Sequence, residues 1–86
     1  MLSEEFSEKS VTLKRDINPM PKRIRTLLVA KRLLKKYNAR PPYQRNDYLG
    51  WISRAKLETT KEKRISQMLS EIRSGDRYMN MRWSGK

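Results

Sequence analysis

Between Pro42 and Gly75, two consecutive runs carry apolar residues at helical spacing, and a chain that contains both has few ways to fold. The first run sets Tyr48, Trp51, Ile52 and Ala55 at steps of three, one and three; the second sets Ile65, Met68, Leu69 and Ile72 in the same rhythm. Such spacing gathers apolar side chains into one stripe along a helix. Neither stripe is stable against water, so the two helices are expected to pack on each other, with Trp51 and Ile65 meeting in a shared dry interior.

The ends of these helices are partly written in the sequence. Thr59 followed by Glu62 predicts a capping box, which starts the second helix at about Thr60 and runs it to Ser74. Gly75 is placed to end it in a left-handed conformation, with Arg73 at the negative end of the dipole. The first is expected from Pro42 or Tyr43 to Lys56 or Leu57. Gly50 lies inside it and costs about 1 kcal/mol of propensity relative to alanine. Either the close approach of another helix or an exposed, neutral position accounts for it.

Upstream, Pro21 suits a first helical turn, and Ile24, Leu27 and Leu28 share a face that Lys31 interrupts. The stripe resumes, displaced, at Leu33, Leu34 and Tyr37, so two short helices meeting near residue 30 are predicted in preference to one bent helix. Asn38-Ala39-Arg40-Pro41-Pro42 forms a stiff break. Residues 1–20 read as an arm with one short extended piece, Val11-Thr12-Leu13. After Gly75, alternation along Tyr78 to Trp83 allows either an extended segment beside that piece or packing of Trp83 on the helices. The resulting expectation is an all-α fold, a small orthogonal or hairpin-type bundle of three to four helices with flexible or short extended termini. Its parts are an N-terminal arm (1–20), a helical domain (21–76) and a C-terminal tail (77–86).

Composition narrows the chemistry. An 86-residue chain makes one domain with a small core, leaving little material for a deep cleft. There is no cysteine and no histidine, which removes thiol chemistry, the borderline metal ligands and the commonest general base near neutral pH. Asp47, Glu58, Glu62 and Glu71 offer no specifically spaced acid pair. The expectation is a protein that is not an enzyme and uses no cofactor and no metal. The N-terminus lacks the basic-then-apolar order of a secretory signal, and the longest apolar stretch, Leu27 to Ala30, is far short of a membrane span; a cytoplasmic location is expected.

Charge is the most informative surface property. Lys plus Arg number 21 against 9 Asp plus Glu, for a formal net charge of +12. Residues 21–45 contain Lys22, Arg23, Arg25, Lys31, Arg32, Lys35, Lys36, Arg40 and Arg45 and no acid, so three quarters of the net charge falls in one block. This set is the candidate polyanion-binding surface, suited to nucleic-acid phosphates or to an anionic membrane surface. The bland alternative is a charged, highly soluble face with no specific partner. No helix-turn-helix, zinc finger or RNA-binding motif accompanies it.

A second cluster, Lys56, Glu58, Thr59 and Arg64, lies at the junction of the two core helices. It is a candidate polar partner site in which Lys56 and Arg64 anchor an anion and Glu58 orients one of them. The structural alternative is a corner staple, with Thr59 capping and Glu58 in an ion pair. Tyr48 and Trp51 read as core aromatics; Tyr43, Tyr78 and Trp83 are better placed for stacking on a ligand.

The run from Tyr48 to Ile65 also resembles a known family. Tyr48, Leu49, Trp51, Ile52, Ala55, Lys56, Glu58, Thr59, Arg64, Ile65, Leu69 and Gly75 match the motif of the YdeI/OmpD-associated family of bacteriocin-protection proteins, and Pro21, Leu28 and Tyr37 fit it upstream. Thr60 stands where the motif usually has Arg, Lys63 replaces the first of an Arg pair, and Asp47 precedes Tyr48 where Glu is more typical. Many members carry this module behind a larger β-rich domain, which residues 1–20 are too short to supply. The resemblance spans about residues 21–76 and implies a compact helical module. It transfers no catalytic residue, and it implies a role in stress or antimicrobial-peptide protection, at anionic envelope components or through a protein partner.

Overall fold

A computed structural model describes residues 17–84. Among the described residues there are four helices: α1 (Lys22–Ala30), α2 (Leu34–Asn38), α3 (Pro42–Ser53) and α4 (Glu58–Ser74). A two-stranded antiparallel sheet follows, β1 (Arg77–Tyr78) and β2 (Met81–Arg82). The fold is therefore mostly helical, with a small hairpin that the all-α expectation lacked.

The predicted break near residue 30 is present and has a definite geometry. Arg32 adopts φ 61°, Arg32 N–H donates to Val29 O (3.0 Å) and Leu33 N–H donates to Leu28 O (2.8 Å). This pair of bonds is a Schellman closure, and its usual apolar contact is supplied by buried Leu28 and Leu33. A left-handed conformation costs a non-glycine residue about 1–2 kcal/mol. Arg32→Gly is accordingly expected to raise stability by up to about 1 kcal/mol, read as a higher urea midpoint at unchanged m-value. A lower midpoint would show that the arginine side chain contributes more than its backbone costs.

Pro41 and Pro42 start α3 as anticipated: Pro42 occupies the first helical turn, and Pro41 O accepts from Gln44 N–H (3.0 Å) and Arg45 N–H (3.2 Å). α3 ends at Ser53, earlier than predicted, which leaves Ala55 beyond the helix and only partly buried. Its buried face is Gln44, Tyr48, Leu49, Gly50 and Ile52. Trp51 is half-buried and packs against the core from its edge, so the dry interior around Trp51 and Ile65 is corrected to one around Tyr48, Ile52 and Ile65. Gly50 is approached by the segment before α1 and not by another helix. A Cβ there would lie 2.7 Å from Asn18 Nδ2, and Asn18 is itself fixed by its N–H to Asn46 Oδ1 (2.6 Å) and its Nδ2 to Asn46 O (3.1 Å).

α4 organises the packing, with α3, α2 and β1 all lying against it. The predicted stripe holds in full: Ile65, Met68, Leu69 and Ile72 are buried. The predicted capping box does not form. The helix begins at Glu58, its N-cap is Leu57 in extended conformation with no side-chain cap, and Thr59 lies inside the first turn. Lys61 N–H reaches Leu57 O (3.0 Å), so the backbone starts the helix two residues before the threonine could cap it. Glu58 still sits near the positive end of the dipole, where a carboxylate is stabilised. At the other end Gly75 has φ 81°, as its position predicted.

The hairpin pairs Arg77 with Arg82 and Tyr78 with Met81. Its two turn residues, Met79 (φ 50°) and Asn80 (φ 67°), are both left-handed, the geometry that matches the twist of a two-residue hairpin. The tail thus pairs with itself; Val11-Thr12-Leu13, its other proposed partner, lies outside the described residues.

Candidate polyanion surface and the buried carboxylate

Of the nine cations predicted for the surface, seven are exposed: Lys22, Arg23, Arg25, Lys31, Arg32, Lys35 and Lys36. All seven fall on α1, α2 or the turn between them. Among the described residues only Arg23 of this set meets carboxylates, Glu58 at 2.6 Å and Glu62 at 3.5 Å, and these contacts tie α1 to the start of α4. Both partners are about half-exposed, so the pair is screened and contributes at most about 1 kcal/mol. Lys36 Nζ donates to Arg73 O at the end of α4 (3.2 Å).

Arg40 leaves the set. It is 4% exposed and its guanidinium donates to Gln44 Oε1 (2.9 Å) and to Glu71 O (2.9 Å), with the Trp83 ring 4.3 Å away. A planar donor fork inside the core can be tolerated only when its bonds are filled, and here they tie the α2–α3 break to the end of α4. Arg45 is half-buried, and its Nε is shielded from solvent.

The second predicted cluster is dispersed. Lys56, Glu58 and Thr59 are exposed, Glu58 is turned to Arg23, and Arg64 donates to Trp51 O (2.7 Å) with its guanidinium 5.3 Å from the Trp51 ring. Arg64 thus closes the α3–α4 corner by capping the C-terminal end of α3 and stacking on its edge aromatic. The corner-staple reading is the better description, with Arg64 in the role assigned to Thr59. Among the aromatics offered for stacking, Tyr78 makes edge-to-face contacts with Tyr43 (5.9 Å) and Tyr48 (5.6 Å), and Trp83 lies under Arg40. Tyr43 keeps about half its surface.

Glu71 is the structural centre that sequence reasoning passed over. Its carboxylate is buried and accepts from Tyr48 Oη, Gln67 Nε2 (3.1 Å), Met79 N–H (2.8 Å) and Asn80 N–H (2.7 Å). The two left-handed turn residues point successive N–H groups at one carboxylate, which makes the hairpin turn an anion nest filled from within the chain. Tyr78 Oη adds a bond to Asp47 Oδ2 (2.5 Å), joining the hairpin to α3. A signal existed: one acid on the buried side of an otherwise apolar stripe.

Two tyrosine hydroxyls are held neutral by this packing. Burial and the hydrogen bond to Glu71 push Tyr48 well above the usual phenol range. Burial pushes Tyr37 up to about 12, opposed by the nearby Arg45 charge. Because the unfolded phenol ionises near 10 and the folded one later, the unfolded chain binds fewer protons in that interval and stability falls as pH rises. Unfolding midpoints should be flat below pH 10 and drop toward about pH 12. Tyr37→Phe should make that decline shallower; an unchanged slope would exclude Tyr37 as its source.

These features define a small basic helical module whose core is locked by a buried carboxylate and whose cations crowd α1 and α2. The family model for bacteriocin-protection, YdeI or OmpD-associated proteins matches residues 19–75, from the segment before α1 to the glycine that ends α4. The chain belongs to this family. No curated protein and no solved structure gives a significant match.

Proposed function

We propose that this chain is a non-catalytic binding module that contacts a polyanion, nucleic acid first among them, through Lys22, Arg23, Arg25, Lys31, Arg32, Lys35 and Lys36. The observation that supports this reading is the exposure of all seven side chains within one short stretch, where among the described residues Arg23 alone is paired with carboxylates. Cations on two short helices and a turn neutralise phosphates without reading bases, so binding is independent of sequence. Glu71, the most buried carboxylate among the described residues, already spends its acceptors on four internal donors, which fits a structural role better than proton transfer.

The family's link to bacteriocin protection favours a second reading, in which the same cations meet anionic components of the envelope or the module acts through a protein partner. Among the described residues no helix is long and apolar enough to cross a membrane, so contact of that kind would be made at a surface. A mobility shift with mixed-sequence duplex DNA and RNA, run beside sedimentation with anionic and neutral vesicles, separates the two. Retardation of nucleic acid at low salt supports the first; enrichment on anionic vesicles without retardation supports the second, and the absence of both rejects the polyanion role.

A further inference from the structure

The segment before α1 roofs a pocket of about 340 Å³ between α2 and α3. A volume of about 150 Å³ is enough for benzene, so this space suits a body of one or two rings. Its lining is mainly apolar and aromatic, with Ile17, Met20, Tyr37, Tyr43 and Leu49 supplying much of the wall. Among the described residues Arg45 is the one charged residue in that lining, and no acid accompanies it. Its Nε–H is shut off from solvent and has no acceptor among the described residues. A buried donor without an acceptor is costly, and in a guanidinium it is the edge that pairs best with a carboxylate.

We propose that this pocket binds a small aromatic carboxylate, its ring against Tyr37, Tyr43 and Leu49 and its anionic end on the guanidinium of Arg45. The ring is desolvated by the apolar wall. The carboxylate neutralises the lone cation and, after a rotation of the terminal torsions of Arg45, supplies the acceptor that Nε lacks. The Tyr37 hydroxyl, whose contact to Arg45 O is long at 3.5 Å, stays protonated and adds no opposing charge. The roof is held from below, since Asn18 is bonded to Asn46 on α3.

The test uses the full chain and 1-naphthoate as probe, with 1-naphthamide as its neutral counterpart, followed by amide and arginine Nε–H chemical shifts. Saturable shifts at Arg45 Nε–H, Tyr43 and Leu49, with a Kd of about 1 mM, are expected for a probe of this size. The naphthamide should bind about 10-fold more weakly. Arg45→Met should lose the same factor, while Asn38→Trp, which fills the rim and keeps the cation, should abolish binding with helicity intact. Equal affinity for acid and amide, or shifts centred on Lys31 to Lys36 in place of the pocket, would overturn the assignment.

Discussion

Glu71→Ala is expected to cost about 3–5 kcal/mol and to detach the hairpin from α4. Its carboxylate is the shared acceptor for Tyr48 Oη and for the N–H groups of Met79 and Asn80. Removing it strands a buried hydroxyl and a half-buried amide, each worth about 1–3 kcal/mol when unpaired, and leaves the turn with no reason to face the helix. A domain of this size has only about 4–13 kcal/mol in total, so the melting temperature should fall by at least about 12 °C. Glu71→Gln keeps one acceptor but turns an amide toward other donors, and should fall between. Tyr48→Phe removes a single bond and should cost about 1–2 kcal/mol. Near-UV circular dichroism reports Tyr78 and Trp83, whose surroundings depend on the hairpin; a Glu71→Ala protein that keeps both signal and melting temperature would remove the carboxylate from its role as lock.

What was legible in the chain and what was not divides along physical lines. The α4 stripe, Gly75 and the break before Leu33 could be read because each rests on local geometry: helical period, a left-handed terminator, a phase slip. Trp51 was misplaced because period alone cannot tell the middle of a buried face from its edge, and the early end of α3 turned its ring toward Arg64. Thr59 met the chemical requirement for a cap, but the N-cap was decided by the backbone at Leu57. Arg40 was counted as surface because it lies in a proline-bounded break with no period to consult; its burial depends on Gln44, Glu71 and Trp83, two of them far along the chain. The hairpin was only half visible. Alternation from Tyr78 to Trp83 suggested extension, whereas Met79 is an unusual left-handed residue, stabilised here by a carboxylate on a different element. Apart from the Thr59 cap, which the local backbone decided, interactions that span elements account for the misses, Arg40 of the polyanion set among them.

The corrected set makes the electrostatic prediction quantitative. If the seven exposed cations each neutralise one phosphate, the logarithm of the duplex affinity should fall with the logarithm of salt at a slope of about −6. Between 50 and 200 mM salt that amounts to a loss of several thousand-fold, on the order of 10⁴ at most. Reversing Lys31, Arg32, Lys35 and Lys36 to Glu should remove four contacts, leave a slope of about −3 or shallower, and spare helicity, since none of the four has a buried side chain. Arg32→Gly separates binding from folding: it is the change expected to gain stability, yet it should still lower the slope by about 0.9. Arg40→Lys provides the opposite control, expected to destabilise the core while leaving the slope unchanged, because its charge faces Trp83 and Glu71 O. A salt slope near zero, or one that responds to Arg40 and ignores the four reversed residues, would dissociate binding from α1 and α2 and leave their charge as a solubilising face.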